Sequence, residues 1–397
     1  CLPQIFFLGI FALLGQIANA KDRFGPMMWA PVLNNLLAIV IFGWYFAKQS
    51  HLTVATISSS EVAWLGWGTT AGYVLQTIVL IPVIRQTKIG IHARFDWRDD
   101  EMRKSLHLAK WTLIFAAISQ LSYFITVNIS TSAAIHAAKS GITTGVGYTP
   151  YSNALLIFML PHSIFTISIV TALLPQLARF AIVKNVDAIH DQLVRAIRIV
   201  GIITVPSAIA FFLFGPIITR ALFFGITDKD AQYIGRVLAA FALGLLPMSI
   251  NLISLRGLNA FENVKLQVWS NGIGNLIGAI ASIAAPFIFP DEWVTVALAG
   301  ALSISYLVSA WVSIRMLARF GIHIHIGEIL GLYGKLIAMA FLIAFPLHII
   351  QRHLPGGNIS HLLIVLITSG VGYLALAHIF RIAEVRNFSE IILGRFR

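Results

Sequence analysis

The chain has 397 residues, of which 58% are hydrophobic and only 11% are charged. About a quarter of the residues of a soluble domain are charged, so this composition excludes a water-soluble globular protein and indicates a polytopic membrane protein. The single cysteine, Cys1, excludes internal disulfides and thiolate metal clusters. The formal net charge of +12 is interpreted as membrane topology rather than as nucleic-acid binding.

Eleven apolar runs follow one another along the chain, and each is long enough to cross a bilayer, which takes about 20 helical residues. Hydrocarbon offers no partner to an unpaired backbone group, and the runs lack the alternating pattern of barrel strands, so each is predicted to be a helix. The predicted fold is an all-α polytopic membrane protein. The predicted spans are Pro3–Ala20, Pro26–Ala47, Val62–Ile84, Leu106–Asn128, Ser152–Leu174, Val194–Phe214, Ala231–Leu255, Leu266–Phe289, Val294–Met316, Ile329–Ile350 and Ile359–Phe380.

Lysine and arginine predict the orientation of these spans, because cytoplasmic connections are enriched in both residues. Of the 28 basic residues, 20 fall in one alternating set of connections and six in the other, while Lys110 and Lys335 lie within spans. The imbalance predicts that the first residue lies outside the cell and that the C-terminus lies in the cytoplasm.

A repeat with an offset of 240 residues connects the start of the chain to its middle. Parallel internal duplication is a recurrent construction of transporters, so the repeat predicts two similarly oriented helical bundles. Three spans precede the second copy, and we expect their mates in about 130 residues upstream of residue 1. The expected whole is two pseudo-symmetric six-helix lobes plus two extra helices. The aligned pairs include Asn19 with Asn259, Ala20 with Ala260, Trp29 with Trp269, and Asn35 with Asn275.

No carboxylate lies within a predicted span, which argues against a proton antiporter or a cation-drug pump built on buried acids. Neither a Ser/His/Asp set nor an HExxH motif indicates an enzyme. A neutral-polar and basic lining suits an anionic, hydrogen-bonding cargo such as a sugar phosphate. The alternative is that these side chains only bond helices together. The polar or basic residues within spans are Gln16, Asn19, Asn34, Asn35, Gln76, Lys110, Gln120, Asn128, Asn153, His162, Gln176, Asn251, Asn271, Asn275 and Lys335.

Two of these asparagines, Asn271 and Asn275, share a helix face, as Gly274 and Gly278 do. The functional interpretation is a polar ledge between the lobes, and the alternative is a helix seam. His162 follows Pro161, and it is either a titrating cavity group or a hydrogen-bonded structural histidine.

Residues 85–105 mix aromatic, acidic and basic side chains, and they predict an amphipathic helix lying on the cytoplasmic leaflet. Phe95 and Trp97 would hold it there, and a solvated loop is the alternative. The basic tail, residues 381–397, has the same character.

Three segments resemble the lipid II flippase family (MurJ, also called MviN). The turn Asn19–Gly25 and its flanking runs are similar to the family's fourth and fifth helices. Leu160–Arg179 resembles its eighth helix, and Arg256–Phe261 resembles the turn after its tenth. The resemblance implies a multidrug/oligosaccharidyl-lipid/polysaccharide (MOP) exporter fold, which is MATE-like, with eleven of fourteen helices present here.

The resemblance also implies a division of the chain. Residues 1–84 would be the remainder of the N-lobe, and 106–316 the C-lobe. Residues 317–380 would form the two extra helices, which border a groove for the lipid tail. The remaining parts of the chain would be the interfacial segment, residues 85–105, and the cytoplasmic tail, residues 381–397.

By the same resemblance, the protein moves undecaprenyl-pyrophosphate-linked peptidoglycan precursor (lipid II) from the inner to the outer leaflet by alternating access. It would be a multi-pass transporter of the bacterial cytoplasmic membrane rather than an enzyme, in contact with membrane lipids and cell-wall synthesis proteins. No cofactor or resident metal is expected, and coupling would be to the membrane potential or to Na⁺. The alternatives are another MOP exporter, for lipid-linked polysaccharide or drugs, and a non-transporting scaffold for cell-wall enzymes.

The resemblance implies that many family members hold pyrophosphate with arginines, mainly from the family's first two helices, which are not in this sequence. Another arginine stands at the position of Leu156, and Lys110 and Arg256 are predicted to act as substitutes. The predicted substrate site comprises Asn34, Asn35, Lys110, Gln120, Asn153, His162, Arg256, Asn271 and Asn275.

Overall fold

A computed structural model describes residues 2–19, 21, 23–48, 57–87, 100–142, 145–223, 225–261, 263–350, 358–380 and 382. The chain divides into two compact units, unit 1 over residues 1–97 and unit 2 over 98–397, and each is described by itself. All regular secondary structure of the described residues is helical.

Unit 1 contains α1 (Leu2–Asn19), α2 (Phe24–Lys48), α3 (Ser59–Ile78) and α4 (Leu80–Gln86). Unit 2 contains α5 (Asp100–Lys139), α6 (Tyr148–Pro161), one π-helical turn (His162–Thr166), α7 (Ile167–Ile182), α8 (Val186–Leu222), α9 (Asp228–Ala260), α10 (Val264–Ile288), α11 (Asp291–Leu317), a 3₁₀ turn (Ala318–Phe320), α12 (Ile326–Ile350) and α13 (Asn358–Ile379).

The eleven predicted spans are confirmed, because the described residues form eleven helical stretches long and apolar enough to cross a membrane. The pair α3 and α4 makes one stretch, and α6 continues through the π-turn into α7 as another. Several helices exceed a bilayer's thickness: the 37 residues of α8 extend about 55 Å, so its polar first turns lie outside the hydrocarbon.

The two turns of the predicted internal repeat are similar in their main chain. The second helix of each copy begins at the same position of the repeat, Phe24 in α2 and Val264 in α10. The turns before them have the same pattern of backbone hydrogen bonds at an offset of 240 residues. In the first turn, Lys21 N and Arg23 N donate to Ala18 O, both at 3.0 Å; in the second, Phe261 N and Asn263 N donate to Leu258 O at 3.2 and 3.4 Å.

Small residues let the helices of unit 2 approach closely. A Cβ on Gly274 of α10 would lie 2.6 Å from the main-chain oxygen of Ser305 of α11, closer than real side chains come. Ser270 Oγ donates to Ser309 O at 3.0 Å along the same seam. This is the close packing through small residues that membrane helices use.

The corresponding seam of unit 1 joins α2 to α3. Gly72 of α3 has no room for a Cβ beside Oδ1 of Asn34, and a Cβ on Gly68 would meet Ile41 at 2.9 Å. Gly68 and Gly72 therefore form a packing motif between α2 and α3. In the repeat, Asn34 corresponds to Gly274. The larger residue of the facing pair therefore stands on the second helix in unit 1, where Asn34 faces Gly72, and on the third helix in unit 2, where Ser309 faces Gly274.

Helix α12 is attached to α8 through Tyr333. Its side chain is buried, and its hydroxyl donates to Ile197 O of α8 at 2.8 Å. Gly201, one turn further along α8, has no space for a Cβ because the Tyr333 ring lies against it. The first of the two extra helices is thus part of the core of unit 2.

The predicted interfacial segment needs a partial correction. Arg85 lies in α4, and Asp100 begins the 40-residue α5, so residues 100–105 continue directly into a membrane span. Residues 88–99, with Phe95 and Trp97, lie outside the described residues, as does the tail apart from Ile382.

Candidate functional site

A hydrogen bond between two asparagines joins α9 to α10. Asn251 Nδ2 donates to Asn271 Oδ1 at 3.0 Å, and Asn251 is buried while Asn271 is half-buried. The Oδ1 of Asn251 has no hydrogen-bond partner among the described residues. Buried polar atoms are nearly always satisfied, so this oxygen is positioned to accept a bond from water or a ligand.

Asn275 faces a different neighbour. It lines a cavity of about 30 Å³ among α5, α10 and α11, and Ser122 Oγ of α5 lies 3.5 Å from its main-chain oxygen. A cavity of this size and polarity can hold an ordered water. The other lining residues are Thr126, Gly278, Ala279, Ser282, Leu298, Leu302 and Ser305.

The glycines and the asparagines of α10 lie on adjacent faces of the helix. Gly274 and Gly278 pack against α11, as the seam alternative required. Asn271 and Asn275 lie beside that seam, one bonded to α9 and the other at the cavity. The structure brings Asn271 together with Asn251, whereas Asn275 lies at the cavity with Ser122.

His162 is held in a hydrogen-bonded network with α9. Its Nδ1 lies 3.2 Å from Ser249 Oγ, which also lies 3.1 Å from Thr166 Oγ1 and donates to Leu245 O at 3.0 Å. All three polar side chains of this network are buried. The geometry matches the structural alternative for His162, located in a π-turn of the kind that often marks functional helices.

Three predicted residues lie apart from these networks. Lys110 and Gln120 are exposed on α5, and Asn153 is half-buried on α6. Leu156, where the resemblance places an arginine in many members, is 65% exposed on α6.

Arg256 lies in the next-to-last turn of α9 and is half-buried. Its Nε is buried and has no hydrogen-bond partner among the described residues. A buried donor of this kind is costly unless something accepts from it, and a guanidinium is suited to phosphate oxygens. Of the two predicted cationic residues, Lys110 and Arg256, Arg256 thus has a buried N–H donor, at Nε, that no described residue uses.

A basic side chain that sequence reasoning missed lies close to Lys110. Lys265 of α10 has its Nζ 5.5 Å from the ring centroid of Trp111 of α5, a cation–π contact. Trp111 directly follows Lys110 in α5, so the two basic residues lie at the same end of unit 2. The hydroxyls of Ser122, Thr126 and Ser249 were also missed, although the four-residue spacing of Ser122 and Thr126 was a usable signal.

Asn34 and Asn35 belong to unit 1. Asn34 is half-buried against Gly72 of α3, whereas Asn35 is exposed. Adjacent residues of a helix point about 100° apart, which explains why only one of them is in the seam. Among the described residues, no group of three or more His, Cys, Asp or Glu side chains is arranged to hold a metal ion.

The described residues form eleven helical stretches of bilayer length, which indicates a multi-pass membrane protein. The family model of the lipid II flippase MurJ matches residues 1–367, and the chain belongs to that family.

Individual relatives agree with the family assignment. The chain is 25% identical over 333 residues to a probable lipid II flippase MurJ of Haemophilus influenzae, covering 81% of this chain and 60% of that protein. It is 23% identical over 319 residues to one from Rhizobium meliloti, covering 79% and 55%. The chain thus spans less than two thirds of the length of these relatives.

A solved structure shows the same fold. The lipid II flippase MurJ in an inward closed conformation superposes with a TM-score of 0.67 at 18% identity, covering 96% of this chain and 72% of that one. The predicted MOP-type fold is consistent with this similarity. The alternatives of a different exporter and of a scaffold are not favoured.

Proposed function

We propose that the protein containing this chain is a lipid II flippase, a transporter that moves undecaprenyl-pyrophosphate-linked peptidoglycan precursor from the inner to the outer leaflet by alternating access. Family membership over residues 1–367 is the observation that carries the proposal. The charge pattern supports it: every described carboxylate lies in a connection or in the first two turns of a helix. A phosphorylated cargo therefore meets no buried negative charge along the described spans.

Arg256 is our candidate for contact with the pyrophosphate. Its buried Nε offers a donor that no described residue uses, and phosphate oxygens accept such bonds strongly. Lys110 and Lys265 would attract the same group at the mouth of unit 2, and Asn251 and Asn271 would contact its neutral polar parts. The remaining predicted residues, Asn34, Asn35, Gln120, Asn153, His162 and Asn275, stay predictions.

The proposed location is the bacterial cytoplasmic membrane, with the C-terminus in the cytoplasm and with membrane lipids and cell-wall synthesis proteins as further partners. The bias of 20 basic residues against six across alternating connections supports this orientation. It places the C-terminal end of α9, with Arg256, on the cytoplasmic side, where lipid II would enter.

For energy coupling, we favour the membrane potential over Na⁺. The polar cavity among α5, α10 and α11 is lined by hydroxyl and amide groups without a carboxylate, so it fits a water molecule better than a bound cation. Moving a negative charge outward is favoured by about 2.3 kcal/mol per 100 mV of inside-negative potential. An anionic cargo can therefore use the potential directly.

A complementation experiment tests the proposal. Cells depleted of their own flippase would express the full-length protein, and lipid II exposed on the outer leaflet would be measured. We expect Arg256→Ala to reduce exposure about tenfold or more, as for a lost charge-assisted bond, and Arg256→Lys to retain part of it.

Arg236→Ala is the matched control. Arg236 lies on the same helix, but its guanidinium stacks on Trp293 with its carbon 5.7 Å from the ring centroid. Wild-type protein that leaves lipid II on the inner leaflet would overturn the proposed function. Equal effects of the Arg256 and Arg236 variants would overturn only the role of Arg256.

A further inference from the structure

A small cavity lies between the first turns of α8 and the start of α12, apart from the residues proposed to contact lipid II. Its volume is about 30 Å³, and its lining combines three nitrogen-bearing side chains with two aliphatic ones. The lining residues are His190, Val194 and Arg198 of α8, His325 just before α12, and Ile329.

The spacing of the α8 residues explains how they share one cavity. His190, Val194 and Arg198 are four residues apart, which places them along one helix face. Ile322 and Ile324 are buried on either side of His323, so the segment before α12 is fixed in place and carries His325 to that face. The site therefore joins two elements distant in sequence.

The charge of the cavity favours an anion. Arg198 supplies a permanent positive charge and several N–H donors, and each imidazole can supply another. His190 Nδ1 lies 3.1 Å from Asp191 Oδ1, and a carboxylate only accepts, so this nitrogen carries a proton, and Nε2 donates to a ligand when the ring carries a second one. Asp191 itself is 81% exposed at its side chain and directed to solvent, which leaves Nε2 of His190 for a ligand.

The depth of the cavity indicates which anion it would hold. Between Arg198 and Arg220, α8 has 21 consecutive uncharged residues, about 31 Å of helix and close to the thickness of the hydrocarbon core. Arg198 therefore lies at the boundary of the core. The apolar stretch of α12 also begins at a lining residue, Ile329. The cavity between these two helices therefore lies at the membrane depth of the phosphate groups of a lipid leaflet.

We propose that this cavity binds the phosphate of an anionic phospholipid of the surrounding leaflet, with the acyl chains lying along the apolar surfaces of α8 and α12. Arg198, His190 and His325 donate to the phosphate oxygens, and Val194 and Ile329 contact the glycerol end. The bound lipid bridges α8 and α12 and so stabilises the docking of the extra helices.

Lipid binding to the purified full-length protein tests the proposal. Native mass spectrometry would follow titration with phosphatidylglycerol, with phosphatidylcholine as the zwitterionic comparison. We expect Arg198→Gln to weaken phosphatidylglycerol binding about tenfold or more, and His325→Gln to weaken it by a smaller factor. Phosphatidylcholine should bind more weakly than phosphatidylglycerol to the wild type and respond less to either variant.

Arg195→Gln is the matched control, because it removes the same charge from the same helix. Arg195 is exposed and does not line the cavity. Equal losses in the Arg195 and Arg198 variants would overturn the proposal in favour of unspecific surface charge. Unchanged binding in the Arg198 and His325 variants would also overturn it.

Inorganic phosphate distinguishes the source of the anion. At matched concentration it should not displace phosphatidylglycerol, since it lacks the acyl chains. Displacement as effective as that by a second lipid would assign the cavity to a soluble phosphate and overturn the lipid assignment. His190→Gln provides a further variant on α8 should Arg198→Gln fold poorly.

Discussion

Replacing Gly72 by serine tests how α2 and α3 pack in unit 1. A Cβ on Gly72 would overlap Oδ1 of Asn34 and lie 3.2 Å from its Cγ, but 3.5 Å from its Cα. The clash is thus with a side chain and not with the main chain. Overpacking costs about 1–3 kcal/mol, and serine regains about 0.5 kcal/mol of helix propensity over glycine. We expect Gly72→Ser to lower the free energy of unfolding by about 0.5–2.5 kcal/mol.

A second substitution, Asn34→Gly, removes the clashing atoms. The double variant then has glycine on α2 opposite serine on α3, the same arrangement that Gly274 and the Ser309 side chain have in unit 2. We expect it to be more stable than the sum of the single effects predicts, with a coupling of about 1–2 kcal/mol between the two positions.

Thermal unfolding of the purified full-length protein in detergent would measure both effects. A loss of 1 kcal/mol should lower Tm by about 2–4 °C, the shift typical of domains of about 150–250 residues. Gly43→Ser is the matched control, because a Cβ at Gly43 meets no atom within 4 Å and its Tm should not fall. Strictly additive effects of Gly72→Ser and Asn34→Gly would refute the reasoning, since the contact would then carry no energy.

Two further predictions concern the polar groups of unit 2. Ser249→Ala should lower the free energy of unfolding by about 1–3 kcal/mol, because His162 and Thr166 lose their shared buried partner. Ser168→Ala is the control, because it removes an exposed hydroxyl that among the described residues is bonded only to Ile164 O, and it should change Tm little in the same assay. Equal shifts in Tm for the two variants would contradict this prediction. Replacing Na⁺ by K⁺ at constant membrane potential should leave lipid II exposure unchanged, while collapsing the potential should reduce it; a requirement for Na⁺ would contradict the proposed coupling.

The sequence was sufficient for the helices, because they depend on local patterns. Apolar runs of bilayer length predict spans directly, and the match of Asn19 with Asn259 marked two turns whose backbone hydrogen bonds agree. The start of α5 at Asp100 was not predictable from apolarity, since its first turns are polar and lie beyond the hydrocarbon.

Partners across helices were harder to predict, because they depend on which faces meet. Ser249 is 87 residues from His162, and nothing local distinguishes it from other serines. Asn251 and Asn271 were both recognised as polar residues within spans, but their mutual bond was not. Spacing located the residues of each face correctly, whereas the pairing of faces required the tertiary structure.

The exchange of sizes between the two seams has an evolutionary consequence. At the repeat positions Asn34 and Gly274 the seam has a large–small complement in both copies, but the larger member stands on opposite helices: Asn34 of α2 faces Gly72, and Ser309 of α11 faces Gly274. Residue-by-residue identity scores such positions as unrelated. Comparing the summed volume of facing pairs would recover them, and would extend the detection of ancient gene duplications to proteins whose two halves no longer align.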